Sequence, residues 1–256
     1  MAAGPRVHTE RDRAESFGDV AENYERYRPS YPAALIDDLA ATLPAAVLDI
    51  GCGTGKASRL MIERGLNVLG VEADARMAEV ARQNGVPVEV ATFETWDAQG
   101  RTFELLTAAQ SWHWVDPTVG VPKAAELLRP GGVLALFWNH SSWVEPTKPR
   151  FEDVYKTYAP ELHARAEREA AHVDEHRYLN DVTAAGLFTG AEERTYPRTL
   201  TYTADEYVGM VNTFSDHIAL PATARAALGA ALRDMIAAAG GAVVVATKTY
   251  MVRAVR

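Results

Sequence analysis

The sequence predicts an α/β fold built on a parallel sheet, and three observations carry that prediction. Short apolar runs alternate with amphipathic helical stretches over residues 32–138. The first run leads directly into Gly51-Cys52-Gly53-Thr54-Gly55, a glycine-rich turn between a strand and a helix. The connections are short, which favours right-handed crossovers between parallel strands.

Taken in order, residues 1–16 are charged and unpatterned, so a loose N-terminus is expected. Residues 17–31 carry Phe17, Tyr24, Tyr27 and Tyr31, and Pro32 opens a helix through Leu43 with Leu35, Ile36 and Leu39 on one face. Residues 47–50 form a short buried strand. A helix with Ala57, Leu60 and Met61 follows, stopped at Gly65. The second strand, 68–71, ends at Glu72, and a helix spans 75–83. Alternation gives a third strand over 86–92 and a fourth over 103–108. A helix with Ala124, Leu127 and Leu128 runs into Arg129-Pro130-Gly131-Gly132, and a fifth strand spans 133–138. After Asn139 the rhythm breaks. Helices are expected over 151–171, 176–187 and 221–239, and strands over 191–201 and 243–252. Thr203-Ala204-Asp205-Glu206 has the form of a capping box.

Composition narrows the function classes. The chain has 256 residues, 48% of them hydrophobic, enough for a substantial core. At roughly 150 residues per domain this is one large domain or one domain with an inserted lid. The reading adopted is a flexible segment at 1–16 and one domain at 17–256, with a cap at about 17–44 and a lid at about 140–180 and 203–220. A formal net charge of -8 without a dense Lys/Arg cluster speaks against a nucleic-acid partner. No apolar run is long enough to span a bilayer, and no signal peptide is expected. The single cysteine, Cys52, forbids an intrachain disulfide and fits a reducing cytoplasm. No metal site is expected, and the chain is expected to be a monomer or homodimer.

The glycine loop carries the chemistry. Its glycines let backbone approach a ligand, and the helix start beside it favours a negative group such as a carboxylate. Glu72, at the end of the second strand, can accept both hydroxyls of a ribose. A dinucleotide fingerprint needs a third glycine where Lys56 stands. A P-loop needs glycine at Ile50 and Ser or Thr at Ala57. A ligand with a ribose and a carboxylate but no phosphate fits both departures. The bland alternative is a glycine-rich turn beside a surface acid.

The stretch from Val47 to Gly55 is similar to motif I of class I S-adenosylmethionine (SAM)-dependent methyltransferases, and Leu127-Leu128-Arg129-Pro130-Gly131-Gly132 resembles that family's turn before strand five. Tyr24, Tyr27, Arg28, Pro29, Tyr31 and Pro32 resemble the opening segment of a bacterial small-molecule subgroup that includes trans-aconitate methyltransferase-like proteins. The resemblance covers about 17–139. It implies a doubly wound, mostly parallel seven-stranded sheet with an antiparallel last strand and a helical lid insertion, with SAM as cofactor. It implies that Gly51, Cys52, Gly53 and Gly55 shape the loop along the methionine part of SAM. Asp49 would sit beneath the amino group, Glu72 would hold the ribose, and Ala73 and Met77 would flank the adenine. Where many members carry an adenine-binding Asp, this chain has Thr92, followed by Phe93 and Glu94. Tyr24 closes over the methionine end in this reading, and Arg28 meets its carboxylate.

After strand four comes Gln110-Ser111-Trp112-His113-Trp114, at the strand end where ligands bind in this architecture. Gln110 can line the methyl-donor site. His113 is a candidate general base, or a packed histidine that orients a loop. Trp112, Trp114, Asn139 and Trp143 are candidate acceptor contacts, with Arg198 and His217 as weaker candidates for an acidic acceptor. DNA amino-methylating enzymes carry an Asn/Asp-Pro-Pro-aromatic stretch here, and cytosine C5 enzymes a nucleophilic cysteine. This chain has neither. Cys52 reads as a small buried filler. The expected function is methyl transfer from SAM to a small-molecule acceptor by in-line displacement. The alternative is a SAM-binding protein without turnover. A nicotinamide oxidoreductase is disfavoured by Lys56.

Overall fold

A computed structural model describes Gly18, residues 20–171 and residues 176–256. The expected loose segment at 1–16 and part of the expected lid, 172–175, lie outside the described residues. The chain opens with α1 (Ala21–Tyr27) and α2 (Ala33–Ala40), followed by β1 (Val47–Ile50), α3 (Lys56–Ile62), β2 (Val68–Glu72), α4 (Ala75–Gln83), β3 (Val88–Val90) and β4 (Phe103–Ala109). A 3₁₀ turn at Trp112–Trp114 leads to α5 (Pro117–Leu127) and β5 (Leu128–Trp143). Then come α6 (Lys148–Tyr158), α7 (Pro160–Ala171), α8 (Arg177–Ala184), β6 (Thr189–Thr203), α9 (Ala204–Val211), α10 (Ser215–Ile218), α11 (Ala222–Ala238) and β7 (Ala242–Val255).

The seven strands lie in the order β3-β2-β1-β4-β5-β7-β6. β1 to β5 run parallel, and β7 is antiparallel to both neighbours, as expected of the last strand. The order reverses between β1 and β4, which opens a crevice at their carboxyl ends. Side-chain alternation sorts the sheet into two faces. Leu48, Ile50, Leu106, Leu134 and Leu136 pack on one face with α5 and Val182 of α8. Val47, Leu105, Ala135 and Phe137 pack on the other with α2 and α3. A third core is separate: Phe151, Tyr155, Tyr207, Leu228, Leu232 and Ile236 join α6, α9 and α11 over the extended ends of β6 and β7.

Several boundaries differ from expectation. β3 is three residues long, because Thr92 begins a turn held by bonds from Thr95 and Trp96 to its carbonyl. β5 runs on to Trp143: the polar stretch Asn139-His140-Ser141-Ser142 finds its backbone partners on β7, out to Trp143 opposite Val245. The helix expected over 151–171 is two helices, since Pro160 disfavours a helical conformation at Ala159, which sits at φ -147°. The capping box at Thr203 forms, with the Thr203 and Glu206 side chains bonding reciprocally.

Candidate functional site

The turn after β1 is held in a conformation that glycine alone adopts readily. Gly51 and Gly53 have φ of +62° and +58°. A Cβ on Gly51 would lie 2.5 Å from Ser111 Cβ, so the end of β4 presses against this backbone. At Gly53 the nearest protein atom to such a Cβ is Met77 Cε at 3.5 Å, and the rest is open cavity. Glu72 bridges this turn to the next one. Its Oε2 accepts from Gly53 N at 2.8 Å and its Oε1 from Asp74 N at 2.9 Å. Burial raises the Glu72 pKa, and the backbone bonds only partly oppose that.

A cavity of about 380 Å³ lies over these groups. One end is apolar, with Ala73, Met77, Ala91 and Phe93, and carries Thr92 and Glu94. The floor is Gly51, Gly53 and Glu72. The other end contains Gln110, Ser111, His113 and Trp114, roofed by Tyr24, Arg28, Arg165 and residues 214–216. A small adjoining recess is lined by Tyr31, Cys52, Gln110 and Asn139, among others. An apolar end, a buried carboxylate that can accept from hydroxyls and a glycine floor fit an adenosyl ligand chemically. The volume lies in the range of small-molecule sites.

The roof is tied down by one arginine. Arg28 donates through Nε to Thr213 Oγ1 at 2.8 Å and through Nη2 to the Thr213 carbonyl at 2.9 Å. Its guanidinium lies 4.2 Å from the Phe214 ring centroid and 5.1 Å from that of Tyr24. Glu25 ties the same segment to the glycine turn: its carboxylate accepts from Thr54 Oγ1 at 2.7 Å and from Arg59 at 3.1 Å. Lys56, standing where a dinucleotide site needs glycine, donates to the Glu25 carbonyl.

Four expected site residues line neither the cavity nor its recess. Asp49 lies inside β1 rather than past its end. It is buried against Ser58 and Thr107, which donate to it at 2.5 and 2.8 Å, and burial pushes its pKa up to about 6. Gly55 has φ +83°, and a Cβ there would meet Val86 at 2.7 Å, so it permits close packing rather than ligand contact. Trp112 is 1% exposed and packs on Phe93, because a three-residue 3₁₀ turn sends it inward while His113 and Trp114 face the cavity. Trp143 stacks on Phe151 at 5.0 Å and donates to the Tyr207 hydroxyl, inside the third core.

Others are placed with qualification. Arg28 reaches the cavity but spends two donor bonds on Thr213. Asn139 lines only the recess, its side chain bonded to Ser30, Thr249 and Arg198. Cys52 is buried, with burial raising its thiol pKa. Gln110 adopts φ +59° and hydrogen-bonds the Asn139 carbonyl. His113 Nδ1 accepts from Trp138 Nε1 at 3.2 Å, so the neutral ring carries its proton on Nε2. Arg198 and His217 do not line the cavity. Arg165, Phe214, Ser215 and Asp216 do, and no motif marked them. Among the described residues no cluster of His, Cys, Asp and Glu could hold a metal ion, and no helix is long and apolar enough to cross a membrane.

Comparison with known proteins agrees with this geometry. Residues 47–132 match a family model described as a methyltransferase domain. An uncharacterized methyltransferase of Mycobacterium tuberculosis is 43% identical over 132 residues, covering 50% of this chain and 54% of that protein. Trans-aconitate 2-methyltransferase of Azoarcus sp. is 37% identical over 108 residues, 39% of this chain and 42% of that one. The chain thus spans about half the length of the curated relatives it matches. A candidate type II methyltransferase structure from Anaeromyxobacter dehalogenans superposes with a TM-score of 0.64 at 23% identity, over 89% of this chain and 97% of that one, and shows the shared fold. Residues 47–132 are thus similar to a methyltransferase domain, and the sheet around them shares its fold with that neighbour.

Proposed function

We propose that this chain transfers the methyl group of SAM to a small-molecule acceptor. The observation that carries the reading is continuity. One cavity runs from the Glu72 cradle past Gln110 to His113, Trp114 and Asp216. A closed far compartment would have favoured a SAM-binding protein without turnover. In this reading Glu72 accepts from the ribose hydroxyls, and the Gly51 and Gly53 backbone lines the methionine part. Ala73, Met77 and Phe93 flank the adenine, and Thr92 and Glu94 stand at its edge. Tyr24 covers the methionine end, and Gln110 stands beside the methyl.

SAM supplies a methyl group on a sulfonium, which is already a good leaving group. The chain's own work is then positioning and exclusion of water, and positioning is worth up to about 7–11 kcal/mol in ideal cases. α1 serves as a cap, and α7 with the 214–216 segment, which line the cavity, as a lid over the reacting atoms. His113, held by Trp138, orients the acceptor rather than acting as base through Nδ1. A net charge of -8 and a roofed cavity favour a small acceptor over nucleic acid, and the lone buried Cys52 suits a reducing cytoplasm.

The test is transfer of label from methyl-labelled SAM to members of a metabolite panel, with S-adenosylhomocysteine (SAH) measured as the co-product. The reading expects stoichiometric SAH for at least one acceptor, and thermal stabilisation by SAM but not NAD. Saturation at 100 times the dissociation constant gives ~2.7 kcal/mol. Stabilisation by NAD alone would return the nicotinamide alternative.

A further inference from the structure

One carboxylate faces the cavity from the roof rather than the floor. Asp216 lies in the four-residue helix α10 and lines the cavity with Phe214 and Ser215, its side chain 33% exposed. Its Oδ1 accepts twice from His217, from the backbone N and from ring Nδ1, both at 2.8 Å. His217 is buried, and its Nε2 lies 2.8 Å from the Tyr155 hydroxyl. An ionised carboxylate only accepts, so Nδ1 carries a proton, and the far ring nitrogen Nε2 shares a hydrogen bond with the Tyr155 hydroxyl. Phe214 and Tyr155 pack edge-on against the imidazole at 5.5 and 5.7 Å. A buried imidazole and a buried phenol thus fix the carboxylate from behind, and nothing in the Glu72 cradle requires that arrangement.

Its charge is also maintained. Burial alone would raise the Asp216 pKa, but the hydrogen bonds and charge of His217, with the more distant Arg165 on α7, outweigh burial and hold it below the usual range. Arg28 of the α1 segment is a further charge near it and is bonded to Thr213. The surrounding walls at this end are largely aromatic, from Tyr24, Trp114 and Phe214. A fixed anion among aromatic faces recognises a hydrogen-bond donor, cationic or neutral, attached to an apolar body.

We propose that Asp216 is the acceptor anchor, binding an ammonium or hydroxyl group on a small apolar or aromatic acceptor, with His217 and Tyr155 as its positioning residues. The proposal rests on the methyltransferase reading of the cavity. It is tested with three matched probes: phenethylamine, 2-phenylethanol and phenylacetate. Each is titrated calorimetrically into the full chain with and without SAH. The amine and the alcohol should bind the wild-type protein, and phenylacetate should bind roughly tenfold more weakly or worse.

Asp216→Asn keeps an oxygen for His217 and removes the charge. It should cost the amine roughly tenfold, cost the alcohol less, and leave SAH affinity unchanged. Tyr155→Phe should weaken the amine several-fold and move the His217 Nδ1–H proton resonance, with SAH affinity unchanged, a combination that general loss of packing would not produce. The proposal is overturned if phenylacetate binds as tightly as the amine, or if the amine fails to bind at tens of millimolar. It is also overturned if Asp216→Asn leaves the three affinities in their wild-type order and size. Failure of SAH itself to bind would instead count against the cofactor reading, while the titrations without SAH still report on the anchor.

Discussion

The floor and the roof of the cavity are built in opposite ways. The floor comes from residues close in sequence, and most of its work is done by backbone: two glycines at positive φ, and a carboxylate that grips two amide N–H groups. The roof is assembled from side chains of α1, α7 and the 213–216 segment, which are far apart in the chain. The Arg28–Thr213 contact alone closes a gap of 185 residues. A backbone floor binds what every member of a chemical class shares. A side-chain roof can change its partner without disturbing the floor. Damage to the floor should therefore abolish cofactor binding outright, and damage to the roof should loosen closure and choice of acceptor.

The largest effect is expected at Gly51. Gly51→Ala forces a side chain into a left-handed conformation and drives its Cβ into Ser111, a strain of several kcal/mol. Calorimetry should find SAH binding lost, with thermal unfolding lowered by several degrees. Near-normal binding in this variant would erase the distinction between floor and roof.

Next comes Asp49, which lies in the floor yet never reaches the cavity. Its pKa is about 6 in the folded chain against 3.8 for an unperturbed group. The folded state therefore holds the extra proton between those values. Stability from this group is full below about pH 4 and falls as pH rises to about 6, by about 3 kcal/mol at most. Asp49→Asn should remove that slope, so the difference in unfolding free energy between variant and wild type should grow in the variant's favour from pH 4 to 6 and then level off. A pH-independent difference would show that the carboxyl is ionised throughout. SAH affinity should barely change, because Asp49 does not line the cavity.

Arg28→Ala should have a different effect, confined to the roof. It removes two hydrogen bonds to a charged group, each worth about 1.5–3 kcal/mol, from a contact between cap and lid. Amide exchange should accelerate in residues 21–31 and 211–218 and hold steady around β1 and β2. Arg28→Lys should not restore protection, since an ammonium cannot reproduce the planar fork or the ring stacking. The mildest variant, Thr54→Val, loses one bond to the Glu25 carboxylate, about 1.5–3 kcal/mol, and should loosen α1 without changing acceptor preference.

The same contrast explains what the sequence made legible. Gly51, Gly53 and Glu72 could be read directly, because the spacing of a strand, a turn and a second strand leaves few places for them. Asp49 lies inside β1, where its side chain turns toward Ser58 and Thr107 rather than the cavity, and motif spacing alone does not show that direction. Trp112 follows strand four, where ligands bind in this architecture, and Trp143 is an aromatic residue in the expected lid, but neither position shows which way the side chain points. The 3₁₀ turn and the continuation of β5 along β7 decide which way they point, and neither has a periodic signature at Trp-His-Trp or Asn-His-Ser-Ser. Asp216 and Arg165 were illegible for a deeper reason. Their meaning arises only when α7 and α10 meet α1 across the cavity, and no local pattern records that meeting.

The central claim is that the Glu72 carboxylate, held by Gly53 and Asp74 amides, receives the ribose of an adenosyl ligand. Parallel calorimetric titrations of SAH into the wild-type chain and Glu72→Ala test it most directly. The account predicts one saturable site in the wild type, and an affinity lower by roughly a hundredfold in the variant, the worth of two charge-assisted bonds. Equal affinity in the two proteins, or no heat from the wild type at millimolar SAH, would contradict it.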